Sequence, residues 1–155
     1  MEEKTNVMRI LDKLKIKYIS HSYADTAAVS GLEVAEVLNQ DPQRVFKTLV
    51  TVGKSGKYYV FVIPVAAELN LKKAAQSVNE KSIEMLKAKD LLPLTGYIHG
   101  GCSPIGMKKL FATTLDDSAA DNDTILVSAG KIGYQVELSL AELQKVIPCQ
   151  LAALV

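Results

Sequence analysis

Residues 45–64 read VFKTLVTVGKSGKYYVFVIP, two apolar segments separated by a short turn of glycine, serine and lysine. The first segment, residues 45–52, is rich in β-branched residues, which favour strands. Residues 53–57 have the length and glycine content of a hairpin loop. The second segment, residues 58–65, is apolar nearly throughout, as expected for a strand that is covered on both faces. The sequence therefore predicts a β-hairpin in the centre of the fold.

Helical segments lie on both sides of this hairpin. Ser30 and Glu33 form the S-x-x-E pattern of a capping box, and Ser139 and Glu142 repeat it near the carboxyl end. The other predicted elements are helices capped by Thr5 and Asn70, a helical stretch at residues 85–91, and extended segments at residues 17–23, 110–115, 124–128 and 134–138. This irregular order of helices and hairpin-linked strands argues against a regular β-α-β winding.

These patterns predict an α/β fold in which a mixed, partly closed β-barrel-like sheet is surrounded by helices. The chain has 155 residues, of which 48% are hydrophobic. A chain of this size and apolar content can bury a substantial core. We therefore expect residues 1–155 to form one domain.

Composition excludes several classes of protein. The longest hydrophobic run is interrupted by Pro64 and is too short to span a membrane, and the amino-terminal MEEKTN is too charged for a secretory signal. A cytoplasmic location is expected. Cys102 and Cys149 lie far apart without a metal-binding motif, so we expect free thiols, no metal and no cofactor. The net charge of +1 is not that of a strongly basic nucleic-acid-binding protein, although short lysine clusters could contact phosphates or simply form a solvated surface.

Lys47 is the first residue that could carry chemistry. Side chains on a strand alternate between its two faces, so Lys47 shares a face with Val45 and Leu49. A lysine among apolar neighbours is unfavourable unless its ammonium reaches a pocket, a partner or solvent. The pattern is compatible with a pocket lysine and with an edge-strand lysine whose head group reaches water.

A second candidate is the loop TGYIHGGCSPIGMKK at residues 95–109. Gly100 and Gly101 would let the backbone approach a ligand closely, and consecutive amides in such a turn form a donor site for an oxyanion or an ester carbonyl. Pro104 would stiffen the loop, and Ser103 could form a hydrogen bond there. A tight turn without a ligand explains the same residues equally well.

Familiar catalytic signatures are absent from the sequence, including GxSxG, HExxH, the Walker loop and GxGxxG. His21 and His99, the two histidines, lack a cysteine or carboxylate at the spacing of a metal site or a triad, and we expect them to be ordinary strand or loop residues. An enzyme with this sequence would depend on positioning and backbone hydrogen bonds rather than on a dedicated nucleophile.

Five segments taken together carry a resemblance to a known family. They are KTNVMRILDKLKIKY at residues 4–18, VFKTLV at 45–50, VIPVAAELNLKKAA at 62–75, LTGYIHGGCSPIGMKK at 94–109 and ILVSAGKIGYQVEL at 125–138. With these segments the chain resembles the YbaK/EbsC proteins, Cys-tRNA(Pro)/Cys-tRNA(Cys) deacylases related to the insertion editing domain of bacterial prolyl-tRNA synthetases. The resemblance covers nearly the whole chain.

The resemblance implies a site at both candidate regions. The family's pocket lysine falls on Lys47, and its glycine-rich loop begins at Gly100. The residues implied to act in catalysis are Lys47, Gly101 and Ser103. Those implied to bind substrate are Tyr23, Ser30, Thr48, Gly100, Pro104 and Gln135. Two of them depart from the family pattern, because many relatives have a bulky aromatic residue at position 30 and an aspartate at position 135.

The implied activity is the editing of mischarged Cys-tRNA(Pro), in which the thiol of the substrate attacks its own ester and the protein supplies geometry and electrostatic stabilisation. Neither Cys102 nor Cys149 would be needed. One alternative is a relative that removes alanine from tRNA(Pro), and another is a non-catalytic module that binds aminoacyl-tRNA or a synthetase. The implied partners are aminoacylated tRNA and prolyl-tRNA synthetase.

Overall fold

The computed structural model describes residues 4–28 and 30–155. Five α-helices occur in this part of the chain, and they are α1 (Asn6–Lys13), α2 (Gly31–Val37), α3 (Leu71–Ser77), α4 (Ala88–Thr95) and α5 (Leu140–Val146). The strands are β1 (Ile19–Ser22), β2 (Phe46–Gly53), β3 (Tyr58–Pro64), β4 (Ile83–Met85), β5 (Ala112–Asp116), β6 (Ile125–Ser128), β7 (Tyr134–Leu138) and β8 (Cys149–Ala152). None of these helices is long and apolar enough to cross a membrane.

The strands form two sheets. The larger has the order β4-β2-β3-β5-β8, with antiparallel pairing around β2 and parallel pairing of β5 with β3 and β8. The smaller is antiparallel, with the order β1-β7-β6. A parallel bridge between Val45 and Leu126 connects the two sheets. The mixed α/β fold is confirmed, whereas the closure of these sheets into a partial barrel stays a prediction.

The main core lies between the two sheets. Val60 and Val62 of β3 pack there with Ile125 and Val136 of the smaller sheet, and all four are fully buried. Alternate residues of β3 face a second cluster formed with α3 and the carboxyl end of the chain. Apart from its first residue β3 is buried throughout, because both faces of the larger sheet are covered. This confirms the central hairpin.

Local helix signals are also confirmed. Ser30 and Glu33 form a reciprocal capping box, with Glu33 N–H donating to Ser30 Oγ at 3.1 Å and Ser30 N–H donating to Glu33 Oε1 at 3.1 Å. Ser139 caps α5 in the same way, but the Glu142 carboxylate instead accepts a hydrogen bond from Lys17 N–H at 3.1 Å. A serine cap fixes where each helix begins, so α2 starts immediately after Ser30.

The predicted helix at residues 85–91 is wrong in its first part. Met85 belongs to β4 and pairs with Thr51, and Leu86 N–H donates to Val50 O at 3.0 Å. These backbone groups are bonded to β2, so α4 begins only at Ala88. Strand β8 had no counterpart among the predicted elements.

Candidate active site

A cavity of about 570 Å³ opens beside β2. Its walls come from the start of α2, from β2, from the segment that joins β4 to α4, from the loop around residue 100, and from the ends of β6 and β7. The lining residues are Tyr23, Ser30, Gly31, Leu32, Val34, Val45, Phe46, Lys47, Thr48, Leu49, Val50, Val65, Met85, Leu86, Ala88, Leu91, His99, Gly100, Cys102, Ser128, Tyr134 and Gln135. Its volume is in the range of about 300–1,000 Å³ that small-molecule sites occupy.

One wall of the cavity is the edge of β2. Residues 45–50 all line it, without alternation. Since neighbouring side chains of a strand point to opposite faces, a cavity on one face would be lined by every second residue. The unbroken run therefore means that the cavity meets the edge of the strand. β4 pairs with β2 only at Thr51, Val52 and Gly53, which leaves this stretch of edge uncovered by β4.

Lys47 lies on this edge and is partly buried. Within residues 4–28 and 30–155, no group accepts a hydrogen bond from its ammonium, and no carboxylate forms an ion pair with it. Lys47 lines the cavity, and although β2 lies between β4 and β3 in the sheet, β4 does not reach as far as Lys47. An ammonium with three donors and no acceptor among the described residues can serve a ligand.

Thr48 and Gln135 add polar groups to the cavity wall. Thr48 Oγ1 is buried and has no hydrogen-bond partner among the described residues. Gln135 is 4% exposed, and its Oε1 accepts a hydrogen bond from Gln40 Nε2 at 2.9 Å. This bond holds the amide in place, and the wall is neutral at that position.

The glycine-rich loop reaches the cavity through Gly100, whose φ of +88° is the left-handed conformation that favours glycine. The N–H of Gly101 donates to Ile98 O at 3.0 Å within the loop. Ser103 is fully buried, and its Oγ accepts a hydrogen bond from Ile105 N–H at 3.2 Å.

Pro104 lines a separate cavity of about 170 Å³. The structure thus brings six of the nine predicted residues to the larger cavity, namely Tyr23, Ser30, Lys47, Thr48, Gly100 and Gln135. Gly101, Ser103 and Pro104 are not among the residues that line it.

Comparison with known proteins identifies the family of this chain. The sequence model of the aminoacyl-tRNA editing domain matches residues 25–146. The chain belongs to the aminoacyl-tRNA editing domain family. The matched region contains β2, the glycine-rich loop and most of the cavity lining.

Individual relatives agree with this assignment. EbsC of Enterococcus faecalis, named as a candidate Cys-tRNA(Pro)/Cys-tRNA(Cys) deacylase, is 48% identical over 139 residues, which are 89% of this chain and 85% of EbsC. The proline–tRNA ligase of Thermosipho africanus is 31% identical over 78 residues, 50% of this chain and 14% of the ligase. A solved structure described as a candidate trans-editing enzyme for prolyl-tRNA synthetase shares the fold, with a TM-score of 0.82, 22% identity and coverage of 98% of both chains.

Sequence reasoning missed several residues that this editing domain places in its cavity. His99 lies at the cavity with an exposed side chain, and Cys102 and Ser128 contribute to the wall. Burial raises the pKa of the Cys102 thiol to about 12, so this thiol is protonated at neutral pH. In the sequence, His99 and Cys102 could be noticed only because they lie near the loop glycines, and Ser128 only because it ends β6. Neither position alone distinguishes a cavity residue from a turn residue.

His21 is part of a different cluster, on the smaller sheet. Its Nε2 lies 2.8 Å from Glu137 Oε1, and Glu137 Oε2 accepts hydrogen bonds from Thr124 Oγ1 at 2.6 Å and from Arg44 at 2.9 Å. The hydrogen bond from Thr124 lowers the pKa of Glu137, and those from His21 and Arg44 act in the same direction. His21 is absent from the cavity lining, in agreement with its interpretation as a strand residue.

The described residues contain no group of three or more histidine, cysteine, aspartate or glutamate side chains that could hold a metal ion.

Proposed function

We propose that this editing domain deacylates mischarged Cys-tRNA(Pro) in the cavity beside β2. The family and the name of the 48% identical relative support the substrate class. The observation that assigns the reaction to this site concerns Lys47. Its ammonium has no acceptor among the described residues, and the residue lines a cavity of about 570 Å³. That volume suits an aminoacyl group together with part of the terminal nucleotide.

The proposed reaction uses the thiol of the substrate. Its sulfur bonds to the ester carbonyl carbon, the bond from that carbon to the ribose oxygen breaks, and the ribose oxygen takes up the thiol proton. The products are free tRNA and a cyclic thiolactone of cysteine. Positioning of the thiol and stabilisation of the developing oxyanion are the tasks left to the protein. A protonated Cys102 is consistent with a reaction in which no protein thiol attacks.

Lys47 is the proposed contact to the terminal nucleotide of the tRNA, whose negative charge complements the ammonium. Thr48, Tyr23, Gly100 and Gln135 are the proposed walls of the aminoacyl site. At position 30 serine takes the place of the larger aromatic residue of many relatives. We propose no contact to substrate for Gly101, Ser103 or Pro104.

We also propose that prolyl-tRNA synthetase delivers the mischarged tRNA to this protein. A net charge of +1 predicts modest affinity for tRNA alone, and this affinity should fall steeply with salt. A synthetase that holds the mischarged tRNA would raise the local substrate concentration. With mischarged tRNA as the substrate, the proposed location of the activity is the cytoplasm.

The test is deacylation of Cys-tRNA(Pro), Ala-tRNA(Pro) and Cys-tRNA(Cys) by wild-type protein and by Lys47→Ala. A hydrogen bond to a charged group contributes about 1.5–3 kcal/mol, so kcat/KM for Cys-tRNA(Pro) should fall by about 10- to 100-fold in the variant. Lys54→Ala is the matched control, because Lys54 is exposed in the turn at the far end of β2 and should leave turnover unchanged.

The substrates separate the alternatives. S-methylation of the cysteinyl group blocks thiol attack, so the methylated Cys-tRNA(Pro) should resist deacylation. Hydrolysis of Ala-tRNA(Pro) alone would move the chain to a sister activity in which water attacks. Binding of aminoacyl-tRNA without turnover of any substrate would refute the enzyme and leave a binding module.

A further inference from the structure

The hydrogen-bond register of β2 fixes where each of its backbone groups points. Val65 N–H donates to Val45 O at 2.8 Å, and Gly53 N–H donates to Lys57 O at 2.8 Å. The odd-numbered residues of β2 therefore exchange hydrogen bonds with β3. In an antiparallel pair these residues alternate with residues that do not bond to the partner strand. Thr48, opposite Val62, is one of the latter, so its N–H and C=O point away from β3.

The side to which Thr48 points is the cavity. On that side β4 covers β2 from Thr51, with a last bond from Leu86 N–H to Val50 O at 3.0 Å, and β6 meets the start of the strand, where Leu126 N–H donates to Arg44 O at 2.9 Å. Among the described residues, no strand pairing or bridge is found at Thr48 on this side, which lies between the bridge at Val45 and the bond at Val50. Thr48 lines the cavity, and the register directs its N–H and C=O to this open side of β2.

We propose that the main chain of Thr48 binds the aminoacyl group as a single antiparallel residue pair. The N–H of Thr48 donates to the ester carbonyl oxygen, and its C=O accepts a hydrogen bond from the α-ammonium of the substrate. An extended amino acid presents these two groups on the same side, as each residue of a strand does. This inference rests on the proposed function, and it names the group that holds the aminoacyl moiety.

This residue pair also gives roles to the groups around Thr48. Directly opposed residues in a sheet place their side chains on the same face, so the substrate side chain lies beside Thr48 Oγ1, which has no partner in the described chain. A cysteine thiol fits next to this hydroxyl. The Thr48 N–H supplies the donor to the developing oxyanion that the sequence had suggested for Gly101, whose own N–H is bonded to Ile98 O.

The main-chain donor can be removed by placing α-hydroxyvaline at position 48, which converts the amide to an ester. Thr48→Val is the matched control, because it has the same side chain and keeps the N–H. Loss of one oxyanion donor lowers kcat by about 10²-fold in enzymes that use one. We expect this loss for Cys-tRNA(Pro) relative to Thr48→Val, with urea unfolding confirming that both proteins fold. Equal kcat values in the two proteins would overturn the inference while leaving the proposed activity intact.

A second measurement needs neither turnover nor a variant. The probe is 3′-deoxy-3′-(L-cysteinylamino)adenosine, in which an amide replaces the ester, added to ¹⁵N-labelled wild-type protein. The Thr48 amide proton should shift downfield and exchange more slowly with solvent when the probe is bound. Saturable binding that leaves the Thr48 amide unchanged refutes the main-chain pair. Absence of any binding, together with absence of deacylation, refutes both the pair and the proposed function.

Discussion

Replacing Cys102 by alanine distinguishes attack by the substrate thiol from attack by a protein thiol. Cys102 is the only cysteine that the described structure places in the cavity lining. Burial raises the pKa of its thiol from 9.0 to about 12, which leaves about a thousandfold less thiolate at neutral pH than an unperturbed cysteine has. Because the thiolate is the nucleophile, this thiol is poorly suited to attack an ester. Cys102→Ala should therefore change kcat/KM for Cys-tRNA(Pro) by less than about threefold.

The assay is release of cysteine from labelled Cys-tRNA(Pro) under single-turnover conditions, with Cys149→Ala as the matched control. Cys102 is 8% exposed, so its truncation should cost about 1 kcal/mol of stability, and the measurement belongs well below the unfolding temperature. A loss of more than 100-fold in Cys102→Ala, in a variant that is still folded at the assay temperature and beside a fully active Cys149→Ala, would refute the reasoning. It would make Cys102 the nucleophile.

Three further predictions concern stability and the loop. Glu137→Gln should lower the free energy of unfolding, measured in urea at pH 7, by about 1–3 kcal/mol. The hydrogen bond from Thr124 lowers the pKa of Glu137 below 4.5. The difference between the two proteins should therefore be complete above about pH 4.5 and disappear as the pH falls through the lowered pKa of Glu137. Gly31→Ala places a Cβ 2.5 Å from Val65 Cγ1 at the cavity wall, which should cost about 1–3 kcal/mol in thermal unfolding and lower turnover. Ser103→Ala should destabilise by about 1 kcal/mol and leave kcat unchanged, and a large loss of kcat would return Ser103 to the catalytic residues.

Elements with a local signal could be predicted from the sequence. The central hairpin has β-branched strands on both sides of a glycine turn, and the capping box at Ser30 specifies the start of α2 by hydrogen bonds within four residues. Lys47 could also be identified locally, because an ammonium among apolar neighbours needs an explanation at any position in a strand.

Elements that depend on distant partners could not be predicted. Strand β8 is specified by parallel pairing with β5, more than thirty residues earlier in the chain, and its own residues carry no strong strand pattern. The hydrogen bonds of the loop amides could not be predicted for a related reason. Consecutive glycines predict a concave set of donors, but Ile98 O accepts the hydrogen bond from Gly101 N–H, and no sequence pattern specifies that bond.

The cavity and the open edge of β2 have one cause, which is the shortness of β4. The strand ends at Met85, and after the bond from Leu86 N–H to Val50 O the chain turns away and enters α4 at Ala88. Three more paired residues in β4, as far as Ala88, would bring the strand alongside Thr48 and occupy its N–H and C=O. The departing segment instead becomes the opposite wall, since Met85, Leu86 and Ala88 all line the cavity. A strand that stops early thus creates both the space for a ligand and the backbone groups to bind it.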